Sequence, residues 1–161
     1  MRLKSKFFSS ILVAAAFALS LAVNASAEMQ GAKANFKSEA ATQQTSFRAY
    51  RGVKLGMSLD ETRAKLGTPS IKYSDQDLFV ISENETAQIF YDSAQKVVTI
   101  SIDYLGGIGA PDYKAVVGAE LETTANGSLY KLVRYESLGF WASYHRTKSA
   151  VPNVTVTLQK I

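Results

Sequence analysis

Few residues in this chain could do chemistry, and their types and spacing limit what that chemistry would be. His145 is the single histidine and there is no cysteine. Disulfides, thiolate metal sites and cysteine nucleophiles are therefore excluded, as are histidine-rich metal centres and two-histidine relays. No serine stands in a Gly-x-Ser-x-Gly setting, so a nucleophile elbow is missing. Asp75 with Asp77 and Glu83 with Glu85 are the carboxylate pairs that could serve as acid and base or hold Ca²⁺. Both lie in predicted turns, where solvation accounts for acidic residues, and the twelve-residue calcium-loop spacing is missing. Gly106, Gly107 and Gly109 are followed by no Lys-Ser/Thr and sit in no strand-to-helix unit, so they read as a linker and not as a phosphate loop. The expectation is a protein that is not an enzyme, with no catalytic, cofactor-binding or metal-ligating residues.

The elements that must position any other site begin after an address label. Arg2, Lys4 and Lys6 precede an apolar run from Ile11 to Val23, and Ala25-Ser26-Ala27 is an A-x-A cleavage site. Residues 1–27 thus read as a secretory signal peptide. The run is shorter than the roughly 18–20 residues of a membrane span. Three of the 18 basic residues lie in this segment, leaving 15 against 14 acidic ones, a net charge of +1. The balance gives no support for nucleic acid as a partner. Without a cysteine after the cleavage site there is no lipid anchor, although peripheral association with the outer membrane stays compatible with the sequence. An exported domain without disulfides points to a bacterial periplasm or to secretion after cleavage.

Residues 28–47 are polar, without sustained periodicity, and read as a flexible tether. Ser58 with Glu61 three residues on forms a capping-box signature, and Leu59, Thr62 and Leu66 recur at helical spacing. Gly67 and Pro69 then stop the helix, Gly67 being expected in the left-handed region. Leu78–Ser82, Ala87–Tyr91 and Val97–Tyr104 alternate with period two and read as strands, with Val98, Ile100 and Ile102 on one face.

A shift of 51 residues lays the second half faintly over the first. It places Gly118 under Gly67, Tyr130 under Phe79, Leu132 under Ile81 and Trp141 under Phe90. Val154, Val156 and Leu158 follow the phase of the earlier strand, and Asn126-Gly127 is a hairpin signal. The expected fold is α+β: two tandem units, each a helix plus a three-stranded meander, forming an antiparallel sheet with helices on one face. Unit 1 spans residues 48–105. Residues 106–161 are either a divergent second unit or a β extension of the first.

The stretch RGVKLGMSLDETRAKLGTPS, with strands ending in KVVTISIDY, resembles the SmpA/OmlA (BamE-like) domain over residues 50–104. Members are mostly outer-membrane lipoproteins that bind other subunits of an assembly machine. The β-lactamase-inhibitor proteins are similar, two such units presenting a concave sheet to an enzyme. The resemblance implies a binding habit without fixing a target. The chain departs from it in having neither the lipid-bearing cysteine nor the disulfides of the inhibitors.

If Phe79, Ile81, Tyr130 and Leu132 face the helices, alternation leaves Leu78, Val80, Lys131 and Val133 on the open face. With Ile89 and Phe140 in the core, Phe90, Trp141, Ser143 and His145 join that face. Phe90, Trp141, Ser143, His145 and Lys131 are therefore the expected partner-binding residues. Trp141 as an ordinary core residue is an equally open reading. The expected function is an exported protein-binding or scaffold domain of bacterial envelope or outer-membrane assembly. The alternative is an inhibitor that clamps a secreted or periplasmic enzyme with its sheet. Nothing marks a closed cavity for a small-molecule or lipid carrier.

Overall fold

The computed structural model describes residues 45–161, so the signal peptide and all but the last three residues of the expected tether lie outside the described residues. Thr45 is buried, and its hydroxyl donates to the Ala115 carbonyl at 3.0 Å. Residues 45–47, grouped with the tether in the sequence, are thus pinned to the body of the domain.

The capping box forms as its spacing requires. Helix α1 (Leu59–Leu66) starts where Ser58 Oγ accepts from the Glu61 amide at 3.3 Å, and Glu61 Oε2 accepts from the Ser58 amide at 2.8 Å. These bonds satisfy donors that a helix start otherwise leaves free, and Asp60 and Glu61 meet the positive end of the helix dipole. Gly67 stops the helix at φ 86° and ψ −156°, outside the left-handed region expected for it but still a conformation open to glycine.

Eight strands follow: β1 (Ile71–Lys72), β2 (Gln76–Ser82), β3 (Glu85–Tyr91), β4 (Val97–Tyr104), β5 (Glu122–Thr123), β6 (Leu129–Tyr135), β7 (Phe140–Arg146) and β8 (Val154–Lys160). They make one antiparallel sheet in the order β1-β2-β3-β4-β8-β7-β6-β5. The expectation of two helix-plus-three-stranded-meander units is overturned by this sheet. The regular structure of the described chain is mostly this one sheet, with one real helix, α1; α2 (Tyr113–Val117) is a single turn of five residues. The reason is local. Pro111 and Gly118 leave room for little more than one turn, and the two valines at 116 and 117 are poor helix formers. The sheet also carries two-residue strands at both outer edges, β1 and β5, which the strand pattern missed.

One face of the sheet is sealed. Ile89, Ile100, Ile102, Val156 and Leu158 are at most 1% exposed, beneath Val53, Val116 and Val117 from the covering segments. The same layer contains an acid. Asp77, placed by the sequence in a solvated turn, is instead on β2 and fully buried. Arg63 from α1 grips it through two bonds of 2.9 Å, and the Tyr91 hydroxyl donates to it at 3.0 Å. Burial and the adjoining carboxylate push the Tyr91 phenol well above its ordinary range. A second cluster closes the other end of β3. The Tyr50 hydroxyl donates to Glu85 at 2.7 Å and Arg51 Nη2 donates at 2.8 Å. Burial alone would push the Glu85 carboxyl up, but the hydrogen bonds from Arg51 and Tyr50, with the Arg51 charge, outweigh it and hold it below the usual carboxylate range. Glu85 is therefore a clasp for the segment at residues 50–53 and not the solvated turn residue expected.

Two predictions follow from these clusters. Arg63→Ala leaves the Asp77 carboxylate buried and short of its partner; because Arg63 is partly wet, the loss should fall near about 3 kcal/mol, the low end for a broken buried pair. A urea midpoint measures it, and a change below about 1 kcal/mol, the range of a surface pair, would contradict the clamp. For Glu85 the folded-state value is lowered, so its contribution is present above the unfolded value and lost as pH falls through the folded one. The stability gap between the native chain and Glu85→Gln should therefore be open at pH 7 and close as pH drops below about 4. A gap independent of pH would contradict the assignment.

Candidate functional site: the open sheet face

The other face of the sheet has no covering element among the described residues, and its register is continuous across six strands. Pairing aligns Gln76, Phe90, Thr99, Gln159, Trp141 and Arg134 in one row. Leu78, Gln88, Ser101, Thr157, Ser143 and Leu132 make the second. The third runs Val80, Thr86, Asp103, Thr155, His145 and Tyr130. The middle is hydroxyl-rich, and the flanks mix aromatic and aliphatic side chains with Gln76, Gln88 and Arg134.

Hydrogen bonds across the face fix its centre. Thr155 Oγ1 donates to Asp103 Oδ1 at 2.6 Å, and the Ser101 and Thr157 hydroxyls meet at 3.3 Å. Tyr130 and His145 stack edge to face with ring centres 6.3 Å apart. Phe90 and Trp141 lie three strand spacings apart, roughly 14 Å. Between Phe90 and the central strands lies a shallow depression of about 520 Å³, floored by Thr99, Ser101, Thr157 and Gln159. It owes part of its shape to a bulge: Tyr91 pairs with Val97 and Phe90 with Thr99, so Val98 is the extra residue and lines the depression. Val98 is therefore not in phase with Ile100 and Ile102, as the simple alternation had it.

Of the expected partner-binding residues, Phe90, Trp141, Ser143 and His145 share this face. Phe90, Trp141 and His145 are partly buried, and Ser143, in the middle row, is 8% exposed. Lys131 does not belong with them. It pairs with Tyr144 in the register of the covered face, alongside Val133 and Tyr135, and its ammonium meets Glu122 at the sheet margin. The expected phase of β6 is thus reversed: Tyr130 and Leu132 are on the open face, and Val133 is in the core. Laying Tyr130 under Phe79 introduced this one-residue slip, which moves every side chain to the wrong side. The signal that corrects it is the turn Glu136–Leu138 with Gly139, which sets Tyr135 opposite Phe140 and their rings 5.2 Å apart.

No group of three or more histidine, cysteine or acidic side chains among the described residues could hold a metal. No helix among them is long and apolar enough to cross a membrane. No family model matches this chain, and no curated protein or solved structure matches it either.

Trp141 sits on the open face and only partly in contact with its neighbours. Its emission should therefore be quenched by iodide, and Trp141→Ala should cost well under the about 3–5 kcal/mol of a core tryptophan. A blue-shifted, unquenchable emission together with a cost in that range would return Trp141 to the core.

Proposed function

We propose that this chain is an exported, non-enzymatic protein-binding domain that docks a folded protein on its open sheet face, in the bacterial envelope or outer-membrane assembly. The single observation that carries the reading is the continuous three-row face, with partly exposed Phe90, Trp141, Tyr130 and Leu132 flanking a hydroxyl-rich centre. Its size fits a protein. Six strands at about 4.8 Å and rows about 6.7 Å apart cover roughly 600 Å², three quarters of the about 800 Å² that each side of a standard interface contributes. Its chemistry fits too, since aromatic side chains with a polar surround are the usual makeup of interface anchors. The proposed kinship to the SmpA/OmlA (BamE-like) domain, carried by residues 50–104, supplies the envelope context.

An affinity column tests the reading with periplasmic extract. The native chain and a Lys65→Glu control, altered on exposed α1, should both retain one discrete, saturable protein. The double variant Phe90→Ala/Trp141→Ala should lose it by at least about 2 kcal/mol of binding, the measure of an interface hot spot, while keeping a cooperative melt. Equal retention by all three chains, or by none, would contradict docking on this face. If the retained species is an enzyme whose activity falls on binding, the inhibitor role replaces the assembly role.

A further inference from the structure

A second concavity lies away from the open face, where residues 48–56 pass the turn between β6 and β7 and the end of β8. It is a cleft of about 390 Å³, within the roughly 300–1,000 Å³ of small-molecule sites. Its floor is apolar: Phe140 and Leu158, 7% and 1% exposed, both belong to the core. Leu55 and Leu138 form the walls, and Leu138 is 43% exposed, a large aliphatic side chain left facing the opening. Three cations, Arg48, Lys54 and Lys160, line the same cleft, and no acidic side chain does. None of the three forms an ion pair with a described residue.

An apolar floor under a cationic rim selects an occupant that carries an alkyl chain and one anion. We infer that this cleft binds a single-chain anionic amphiphile, a fatty carboxylate or its equivalent, taken up as a monomer. The chain would lie on Phe140 and Leu158, and the head would reach Arg48, Lys54 and Lys160, where charge-assisted hydrogen bonds are the strong ones. A peptide is disfavoured by the backbone. β7 and β8 are both paired on both sides, so the cleft offers no free strand edge for an added strand. A two-chain phospholipid would need more room than the cleft provides.

Two glycines in the lining, Gly56 and Gly139, give a readout that does not depend on the open face, so failure here and failure of the docking role are separable. Decanoate, titrated below its micelle concentration into the full chain labelled with ¹⁵N, should shift the Gly56 and Gly139 amides saturably and leave the amide of Thr86, on the open face and outside the cleft lining, unmoved. Decanol should bind about tenfold more weakly, and Arg48→Gln/Lys54→Gln should weaken decanoate by a similar factor. Leu138→Gln, a change at an exposed position that the fold tolerates, should abolish the shifts. Equal affinity for decanol and decanoate, or indifference to the double variant, would overturn the role of the rim. Shifts spread over the whole chain, no shifts at all, or shifts only with phosphatidylglycerol vesicles would overturn the monomer site.

Discussion

The pairing of β4 with β8 is the contact on which the rest of this structure depends. Their paired residues lie fifty to sixty positions apart in the chain and side by side in the middle of the sheet. On the covered side their partners are Ile100 with Leu158, Ile102 with Val156 and Tyr104 with Val154, all in the core. Burying these five aliphatic side chains at about 1.5–3 kcal/mol each is comparable with the about 5–15 kcal/mol that holds a whole domain folded. The seam therefore cannot open while the rest persists. On the uncovered side the same strands align Thr99 with Gln159, Ser101 with Thr157 and Asp103 with Thr155. One ladder thus sets the core and the centre of the open face together.

Much of this was legible because the physics behind it is local. The helix at residues 59–66 follows from Ser58, Glu61 and a terminating Gly67-Thr68-Pro69, all within a dozen residues. Strands β2, β3 and β4 follow from alternation in a stretch with clear turns between them. What escaped depends on distant partners. Asp77 looks like a turn acid until Arg63 and Tyr91 are placed beside it, and nothing in its neighbours along the chain announces them. A second helix was expected, but its brevity escaped, because Asp112, which caps α2, and Gly118, which ends it, leave only five residues between them.

The candidate site shows the same division. Phe90, Trp141, Ser143 and His145 were placeable from alternation anchored on Ile89 and Phe140, both of which are buried. β6 was not, because Leu129-Tyr130-Lys131-Leu132-Val133 puts comparable apolar weight on either face. Only its hairpin with β7 decides the phase, and that decision exchanges Lys131 for Tyr130 and Leu132. The exchange alters the character of the face. Lys131 and Val133 leave it while Tyr130, Leu132 and Arg134 join, so one cation replaces another and the net gain is an aromatic ring beside His145.

The central claim is that the six-strand register leaves one face uncovered among the described residues and open to a partner, and a chain without native cysteine allows it to be read with a single thiol. Thr157→Cys stands in the middle row of the open face, and Val156→Cys points the other way into the core. The measurement is the rate of thiol labelling at each position, alone and in periplasmic extract. The register predicts rapid labelling at position 157 in the isolated chain, protection there when extract is added, and negligible labelling at 156 in both conditions. Equal rates at the two positions would contradict the register, and a rate at 157 that extract leaves unchanged would contradict docking on that face.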